Sequence, residues 1–259
     1  MLLVVDVGNS EVTTGLFRGA ELVGRWRLTT TVERTPDEWA LALDSFAIRA
    51  GHSPAEIRAC CLGSVVPGVT QSLIPALHLA IDGRVGVVDP RAGLPLELDV
   101  DEPLAMGADR IANALGALAL YPGDSIVIGF GTATTFNCVT ADRRFIGGSI
   151  MPGLRTSADQ LIRRAAKLTA TDLLPPTRAI GRSTEDNIRA GVLYGAADAA
   201  DGMVRRIIAE WPKGPPPQVI ATGGLAALVA PLMTSVSVVD PDLTLHGLRV
   251  AADALHLLG

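Results

Sequence analysis

An acidic residue and a glycine-containing turn stand near the start of the chain, directly after a short apolar run. Residues 2–5 lead into Asp6-Val7-Gly8-Asn9-Ser10. Glycine lets the backbone approach an anion closely, the N–H groups of the turn can line a phosphate, and a carboxylate at the end of a strand can hold magnesium or its waters. The pentapeptide therefore has the parts of a nucleotide-binding hairpin, although an ordinary hairpin turn has the same composition.

Two further glycine-rich junctions follow apolar runs in the second half of the chain. Residues 129–135 read Gly-Phe-Gly-Thr-Ala-Thr-Thr, and two such loops facing one another could grip a polyphosphate from both sides. Thr222-Gly223-Gly224 lies before a predicted helix that begins at Leu225, and bare backbone there could accommodate an adenosine group. A tight strand-to-helix turn is the structural alternative for this third junction.

An acid and a guanidinium stand side by side in Gly107-Ala108-Asp109-Arg110. The carboxylate can accept a proton from an attacking hydroxyl, and Arg110 can bind an anionic oxygen in fork geometry. The structural alternative is that Asp109 stabilises the start of a helix through the helix dipole while Arg110 is solvated.

The elements that must position these residues alternate between strands and helices. Strands are predicted on both sides of the first turn, a further strand pair around residues 21–28, and a helix that begins near Thr35-Pro36. Strands at 59–66 and 85–88 are separated by a predicted helix at 69–80, and residues 108–120 have apolar side chains at the spacing of one helix face. This alternation favours an α/β architecture.

The second half of the chain repeats the opening pattern. Residues 125–128 and 134–139 are strand-like and flank the second glycine-rich turn. Two strand–turn–strand units predict two related lobes. We place the boundary in the helix at 108–120, which gives an N-terminal lobe of residues 1–112 with the first phosphate loop and a C-terminal lobe of residues 113–259 with the second phosphate loop and the adenosine-binding junction.

Composition excludes several other classes of protein. Of 259 residues, 48% are apolar and 19% charged, which is enough apolar material for a large core. A net charge of -5 without a basic stripe argues against a nucleic-acid partner, and neither a leader pattern nor a membrane-spanning stretch is evident, so we expect a cytoplasmic protein. Three cysteines and four histidines have no metal-ligand spacing.

The order of several short motifs resembles that of type III pantothenate kinases. The matching strings are Asp6-Val7-Gly8-Asn9, Gly15-Leu16-Phe17, Trp26-Arg27-Leu28, Arg34-Thr35, Ser64-Val65-Val66-Pro67, Gly107-Ala108-Asp109-Arg110, Gly131-Thr132-Ala133-Thr134-Thr135, Gly147-Gly148-Ser149-Ile150-Met151-Pro152-Gly153, Thr222-Gly223-Gly224 and Leu243-Thr244-Leu245-His246-Gly247-Leu248. Each string is short, but together they cover nearly the whole chain in the right order. The resemblance implies two ribonuclease-H-like lobes of the acetate-kinase/sugar-kinase/actin type, with mixed sheets flanked by helices.

The resemblance also implies an activity, namely phosphorylation of pantothenate to 4'-phosphopantothenate by ATP, the first step of coenzyme A biosynthesis. Asp109 matches the proton acceptor, and Asp6 matches a position that holds Mg2+, directly or through water. The positions that match ATP contacts are Asp6, Val7, Gly8, Asn9, Ser10, Glu11, Val12, Thr13, Thr132 and Gly223. The positions that match pantothenate contacts are Val100, Gly107, Ala108, Asp109, Arg110 and Thr184. The family further implies a homodimer, with the dimer surface on the C-terminal lobe.

Several positions depart from the family pattern. Gly129 stands where the family has an aspartate that helps to hold a monovalent cation, K+ or NH4+, and Asn137 matches a second aspartate. Because glycine has no side-chain ligand, we expect an altered cation requirement. Near the expected pantothenate pocket, Val100 stands in place of a frequent aromatic residue and Glu102 in place of a frequent asparagine.

Three functions are compatible with these features. The presence of Asp6 and Asp109 favours an active pantothenate kinase with an altered cation requirement. The changes at Gly129 and Asn137 favour a catalytically weakened homologue that acts as a nucleotide-binding regulatory protein. A sugar kinase of the same fold is the third candidate, but the sequence lacks the Cys/His zinc cluster that one large group of those kinases contains.

Overall fold

A computed structural model describes residues 1–165, 168, 170–212 and 214–258. The strands are β1 (Leu2–Val7), β2 (Glu11–Arg18), β3 (Glu21–Thr29), β4 (Ala59–Ser64), β5 (Arg84–Val87), β6 (Glu97–Leu98), β7 (Ser125–Phe130), β8 (Ala133–Thr140), β9 (Arg144–Pro152), β10 (Gln218–Thr222) and β11 (Val238–Val239). The helices are α1 (Pro36–Arg49), α2 (Pro67–Ala80), α3 (Ala108–Leu120), α4 (Leu154–Arg164), α5 (Thr184–Glu210), α6 (Ala226–Val229) and α7 (Leu243–Ala254). No helix within these ranges is long and apolar enough to cross a membrane.

The residues form two compact units. The first contains Met1–Tyr121, Arg143–Phe145 and the chain from Leu243 onward, and the second contains Pro122–Asp142 and Ile146–Asp242. The boundary that we expected between residues 112 and 113 falls inside α3, and the C-terminal helix α7 is part of the first unit.

The sheet of the first unit has the order β3-β2-β1-β4-β5. Its first three strands are antiparallel, and β4 and β5 run parallel to β1. Alternate residues of β1 enter two cores, one containing Val5 and residues of α1 and α2, the other containing Val4 and residues of α3 and α7. The strand pair expected at 21–28 was wrong, because β3 is one strand in which the Trp26 ring covers Gly24.

The sheet of the second unit repeats this order as β9-β8-β7-β10-β11. Its hairpin β7–β8 is antiparallel, and β10 and β11 continue in parallel. Residues of α4, α5 and α6 pack with Ile126, Ile128 and Phe136 on one face. At the outer edge of β9, Arg144 and Phe145, which belong to the first unit, pair with β6. The repeated strand order confirms two ribonuclease-H-like units.

Local chemistry explains where one of the predicted helices begins and how another one packs. Thr35 caps α1 in a capping box, with Glu38 N–H donating to Thr35 Oγ1 at 3.3 Å and Thr35 N–H donating to Glu38 at 2.8 Å. Helix α3 spans the predicted residues 108–120 and crosses α7 at very short range. A Cβ at Gly247 would lie 1.7 Å from the Ala112 carbonyl oxygen, so only glycine permits this crossing.

Candidate active site

Asp6 lies on the face of β1 that α3 and α7 cover. It alternates with Val5 and Val7, whose side chains pack in the opposite core. In the sheet, Asp6 is paired with Thr13 on β2 on one side and with Gly63 on β4 on the other. A Cβ at Gly63 would lie 3.0 Å from a methyl group of Leu248 and 3.6 Å from the Cβ of Ala108. The absence of a side chain at Gly63 therefore leaves room for Leu248 of α7 on the face of the sheet that carries Asp6, whereas the distance to Ala108 at the start of α3 would be an ordinary contact.

Asp109 is the second residue of α3, and Gly107 is its N-cap. The main-chain N–H groups of Asp109 and Arg110 donate to the Asp109 carboxylate. A Cβ at Gly107 would lie 2.5 Å from Asp109 Oδ1, so the carboxylate folds back over the glycine. Asp109 thus stabilises the helix start, as the structural alternative proposed, and at the same time presents its charge to Asp6.

Both carboxyl groups are perturbed by their surroundings. Burial raises the pKa of Asp6 to about 7, and the negative charge of Asp109 contributes to the rise. Burial also raises the pKa of Asp109, while the main-chain N–H of Arg110 and the Arg110 guanidinium oppose that rise. Because burial and the charge of Asp109 disfavour the ionised form of Asp6, a cation beside Asp6 is electrostatically favoured. Titratable groups with such shifts are common at functional sites.

Arg110 is held by an aromatic side chain that the sequence did not single out. Its guanidinium carbon lies 5.1 Å from the centroid of the Phe145 ring, which is fully buried. A guanidinium stacked in this way keeps its N–H donors in a fixed plane. Arg110 is therefore half-buried and oriented, which differs from the solvated state that the structural alternative assumed. Val100 is also half-buried and follows Asp99, which pairs with Arg144 at 2.9 Å.

The first turn is closed by a hydrogen bond from Gly8 N–H to the Glu11 carbonyl at 3.0 Å. The side chains of Asn9, Ser10 and Glu11 are exposed, so they and the turn's backbone are open to a ligand. The flanking Val7 and Val12 side chains are buried in the core, so these two residues can offer a ligand only main-chain groups.

The second turn is shorter than the sequence indicated. Strand β7 continues to Phe130, which leaves Gly131 and Thr132 as the turn, and Gly129 is a buried strand residue opposite Thr135. Gly223 has a φ of +93°, and a Cβ there would lie 2.6 Å from the Phe130 carbonyl oxygen. The structure thus brings Gly223 to the end of β7, next to the turn that contains Thr132. The helix expected from Leu225 is the single turn α6.

Thr184 begins α5 and lies in the second unit, whereas Val100 and residues 107–110 lie in the first. The Ser183 hydroxyl caps α5 by accepting the Asp186 N–H at 3.1 Å. Thr184 lines a cavity of about 580 Å³ between residues of β9, α4 and α5. Its walls are mainly apolar, and its polar lining side chains are Thr134, Ser157, Thr184 and Asn187.

The possible metal ligands differ between the two units. Within the described ranges, no group of three or more His, Cys, Asp or Glu side chains is arranged to hold a metal ion. Asp6, whose negative charge is disfavoured by burial and by the nearby charge of Asp109, fits a divalent cation that takes its remaining ligands from phosphates and water. Gly129 provides no side-chain oxygen, and Asn137 is a buried neutral amide, so these positions do not fit a carboxylate site for a monovalent cation.

The two repeated units and their glycine-bearing turns define the class of protein. The chain has the acetate-kinase/sugar-kinase/actin type of fold, and it is similar to solved structures across almost its whole length. A Campylobacter jejuni protein, provisionally titled a Baf family transcriptional activator, has a TM-score of 0.59 at 16% identity, with 97% of this chain and 98% of that chain covered. The activator of the 2-hydroxyisocaproyl-CoA dehydratase from Clostridium difficile, solved with ADPNP, has a TM-score of 0.57 at 12% identity, with 99% and 93% covered. Identities this low show the fold alone.

Sequence comparison identifies the family. The type III pantothenate kinase family model matches residues 2–206. The type III pantothenate kinase of Thermomicrobium roseum is 42% identical over 258 residues, which is 99% of this chain and 98% of the relative. The chain belongs to the type III pantothenate kinase family.

Proposed function

We propose that the protein transfers the γ-phosphoryl group of ATP to the terminal hydroxyl of pantothenate, which yields 4'-phosphopantothenate and ADP in the first step of coenzyme A biosynthesis. The observation that carries the proposal is that the Asp109 carboxylate, at the start of α3, is near enough to buried Asp6 for its charge to help raise the Asp6 pKa, in a chain of this family. No contact among the described residues favours the regulatory alternative.

Asp109 is the proton acceptor in this reaction. An alcohol is a poor nucleophile until its proton has an acceptor, and one positioned carboxylate contributes about 10²–10⁴ in rate. The raised pKa of Asp109 makes its carboxylate a stronger base than an exposed aspartate. Arg110, oriented by Phe145, binds an anionic oxygen and keeps the acceptor in position.

Asp6 holds Mg2+, either directly or through water. When bound, Mg2+ would supply positive charge that neutralises the charge developing on the phosphates during transfer. Asp6 suits this role because Asp109 and burial together make its bare negative charge unfavourable. A cation beside it relieves that penalty, so the two carboxylates have different tasks: Asp6 holds the cation and Asp109 receives the proton.

Each unit supplies proposed ligand contacts. In the first unit, the hairpin from Asp6 to Thr13 contacts ATP through its turn and the hydroxyl of Thr13, and Val100 with residues 107–110 contacts pantothenate. In the second unit, Thr132 and Gly223 contact ATP. Thr184 contacts pantothenate from the edge of the 580 Å³ cavity, whose apolar walls suit the branched carbon of such an acceptor.

We extend the proposal to assembly, location and cation use. The protein is a cytoplasmic homodimer with no nucleic-acid or membrane partner, and Gly129 alters its use of K+ or NH4+. Support for the dimer comes from α5, where Gly191, Gly195 and Ala199 line the cavity and are exposed. Small exposed residues at this spacing let a second helix approach closely. Light scattering after gel filtration tests the dimer, and a monomeric mass at micromolar concentration would contradict it.

A coupled assay of ADP release tests the function. ADP is expected to appear only when pantothenate, ATP and Mg2+ are all present, and mass spectrometry should detect phosphopantothenate in the same samples. The Asp109→Asn protein serves as the matched control for contaminating kinases. ADP release that does not depend on pantothenate, or ATP binding without turnover, would favour the regulatory homologue instead.

A further inference from the structure

The two predicted phosphate turns share an arrangement that the sequence did not indicate. In the first unit, the Gly8 carbonyl accepts a hydrogen bond from Thr30 Oγ1 at 2.7 Å, and the Thr30 N–H donates to the Ser10 carbonyl at 3.1 Å. Thr30 lies directly after β3, 22 residues from Gly8 along the chain. One threonine therefore ties two carbonyls of the first turn.

The second unit ties its turn in a comparable way. The Thr132 carbonyl accepts a hydrogen bond from Thr156 Oγ1 at 2.7 Å and a second from the Gly153 N–H at 3.1 Å. A Cβ at Gly153 would lie 2.4 Å from both the Gly131 and Thr132 carbonyl oxygens, so glycine is needed for this approach. Thr156 lies in the first turn of α4, 24 residues from Thr132. A threonine hydroxyl from a separate element thus holds a turn carbonyl in each unit.

The direction of a carbonyl determines the direction of the neighbouring N–H. In a planar trans peptide the C=O and the following N–H point to opposite sides. Since the Gly8 carbonyl points to Thr30, the Asn9 N–H points away from Thr30. A phosphate is attracted by an N–H and repelled by a carbonyl oxygen, so the orientation of this peptide decides whether the turn attracts or repels an anion.

Because the first turn contains glycine, its peptide needs a hydrogen bond to fix its orientation. Gly8 has few steric restrictions on its φ and ψ angles, so the peptide between Gly8 and Asn9 can rotate more freely than a peptide after a larger residue. Thr30 is only 7% exposed and its hydrogen bond to the Gly8 carbonyl is partly buried, so water competes less for this carbonyl than at an exposed turn. Thr156 is exposed, so water can replace its hydroxyl more readily.

We propose that Thr30 and Thr156 are positioning residues that act through the turn peptides: each hydroxyl holds a turn carbonyl away from the triphosphate and so aims the next N–H at it. The inference rests on the proposed function only in that the two turns bind ATP. Thr30 is the stronger of the pair because its hydrogen bond is partly buried, whereas that of Thr156 is exposed. Both residues affect nucleotide affinity and leave the acceptor site unchanged.

The test compares Thr30→Val, which removes the hydroxyl and keeps the shape, with Thr30→Ser, which keeps the hydroxyl. Affinity for MgATP is measured by calorimetry without pantothenate, and KM for each substrate and kcat by the coupled assay. Thr30→Val is expected to weaken MgATP binding and raise KM for ATP about 3- to 10-fold, with KM for pantothenate unchanged. Thr30→Ser should restore both values to within about twofold.

Thr14→Val is the matched control. Thr14 is a buried threonine of β2 whose hydroxyl donates to the Trp26 carbonyl at 3.4 Å, away from the turn. Loss of the Thr14 hydroxyl is expected to lower the stability of the protein without changing its affinity for MgATP. If Thr30→Val does not fold, Thr156→Val and Thr156→Ser provide the same comparison on an exposed residue, with an expected effect of about 2- to 3-fold.

Each result has a distinct meaning. Weaker MgATP binding that the serine variant rescues supports the proposal. Unchanged MgATP affinity in a folded Thr30→Val protein, or an equal rise in KM for both substrates, overturns it. A wild-type protein that binds MgATP but does not phosphorylate pantothenate contradicts the proposed function alone, since the affinity comparison does not need turnover. A wild-type protein that does not bind MgATP contradicts both.

Discussion

The Asp109 carboxylate lies close enough to Asp6 for its negative charge to add to the effect of burial and raise the Asp6 pKa to about 7. The position of the carboxylate depends on glycine at the N-cap of α3. Gly107 leaves room for the Asp109 carboxylate, which a Cβ at this position would approach to 2.5 Å. The electrostatics of this pair lead to the first three predictions below.

Replacement of Asp109 by asparagine should reduce kcat by about 10²–10⁴, because the amide cannot accept the proton of the acceptor hydroxyl. MgATP affinity should remain within about threefold, since the proposed ATP contacts are unchanged. Steady-state kinetics and calorimetry measure the two quantities. Asp101→Asn, an exposed acid in the same segment, is the control and should retain turnover. Undiminished turnover in Asp109→Asn would remove Asp109 from the mechanism.

Binding of Mg2+ should depend on pH around neutrality. Below about pH 7 Asp6 holds a proton that the cation must displace, so the apparent affinity for Mg2+ should fall by up to about tenfold per pH unit as the pH decreases, and level off above pH 7. Asp109→Asn should move this transition to lower pH, because one cause of the raised pKa is gone. The apparent affinity is measured by titrating Mg2+ into the protein with ATP at several pH values. An affinity that does not change with pH would contradict the role of Asp6 in holding Mg2+.

The same proton affects the stability of the metal-free protein. The folded state binds this proton more tightly than the unfolded chain, whose Asp6 pKa is near its ordinary value. The contribution of Asp6 to stability is therefore present below about pH 4 and is lost as the pH rises towards about 7. Urea unfolding at several pH values measures the free energy of unfolding, which should decline over this range in the wild type and decline less in Asp6→Asn. The same dependence on pH in both proteins would contradict the raised pKa of Asp6.

Gly107→Ala should displace the Asp109 carboxylate and lower kcat at least about tenfold. Gly107 has a φ of -67°, which alanine adopts readily, so the effect comes from the added methyl group, 2.5 Å from Asp109 Oδ1. The side chain can move without the backbone, so the melting temperature should change little. Gly68→Ala near the start of α2, where a Cβ meets nothing within 4 Å, is the control. Equal kcat values for the two variants would show that the carboxylate position does not matter.

Activity should respond little when potassium is exchanged for sodium at constant ionic strength. We expect this because Gly129 stands where the family resemblance implies a carboxylate ligand, and Asn137 where it implies a second acidic residue. The coupled ADP assay measures the response, with ammonium as a third condition. A steep potassium requirement would show that main-chain carbonyls or another carboxylate replace the missing ligand.

The sequence predicted those parts of the fold that depend on neighbouring residues. Thr35 and Glu38 form a capping box around Pro36 within one helical turn, and the apolar spacing of residues 108–120 defined α3. Gly24 shows the limit of such patterns, because Trp26 covers it within one strand and a glycine alone does not identify a turn.

The sequence likewise predicted only part of the candidate site. Asp6, Asp109 and the glycine-bearing turns were recognisable because they are short motifs in a characteristic order, and the family followed from that order. Their pKa values, the Phe145 ring beneath Arg110 and the threonines behind the two turns were not recognisable, because each joins residues from separate elements. Residue types and local spacing determined which groups the protein has. The pairing of strands and the packing of α3 on the sheet decided which groups meet, since charge and hydrogen bonding act over distance in space, whatever the separation along the chain.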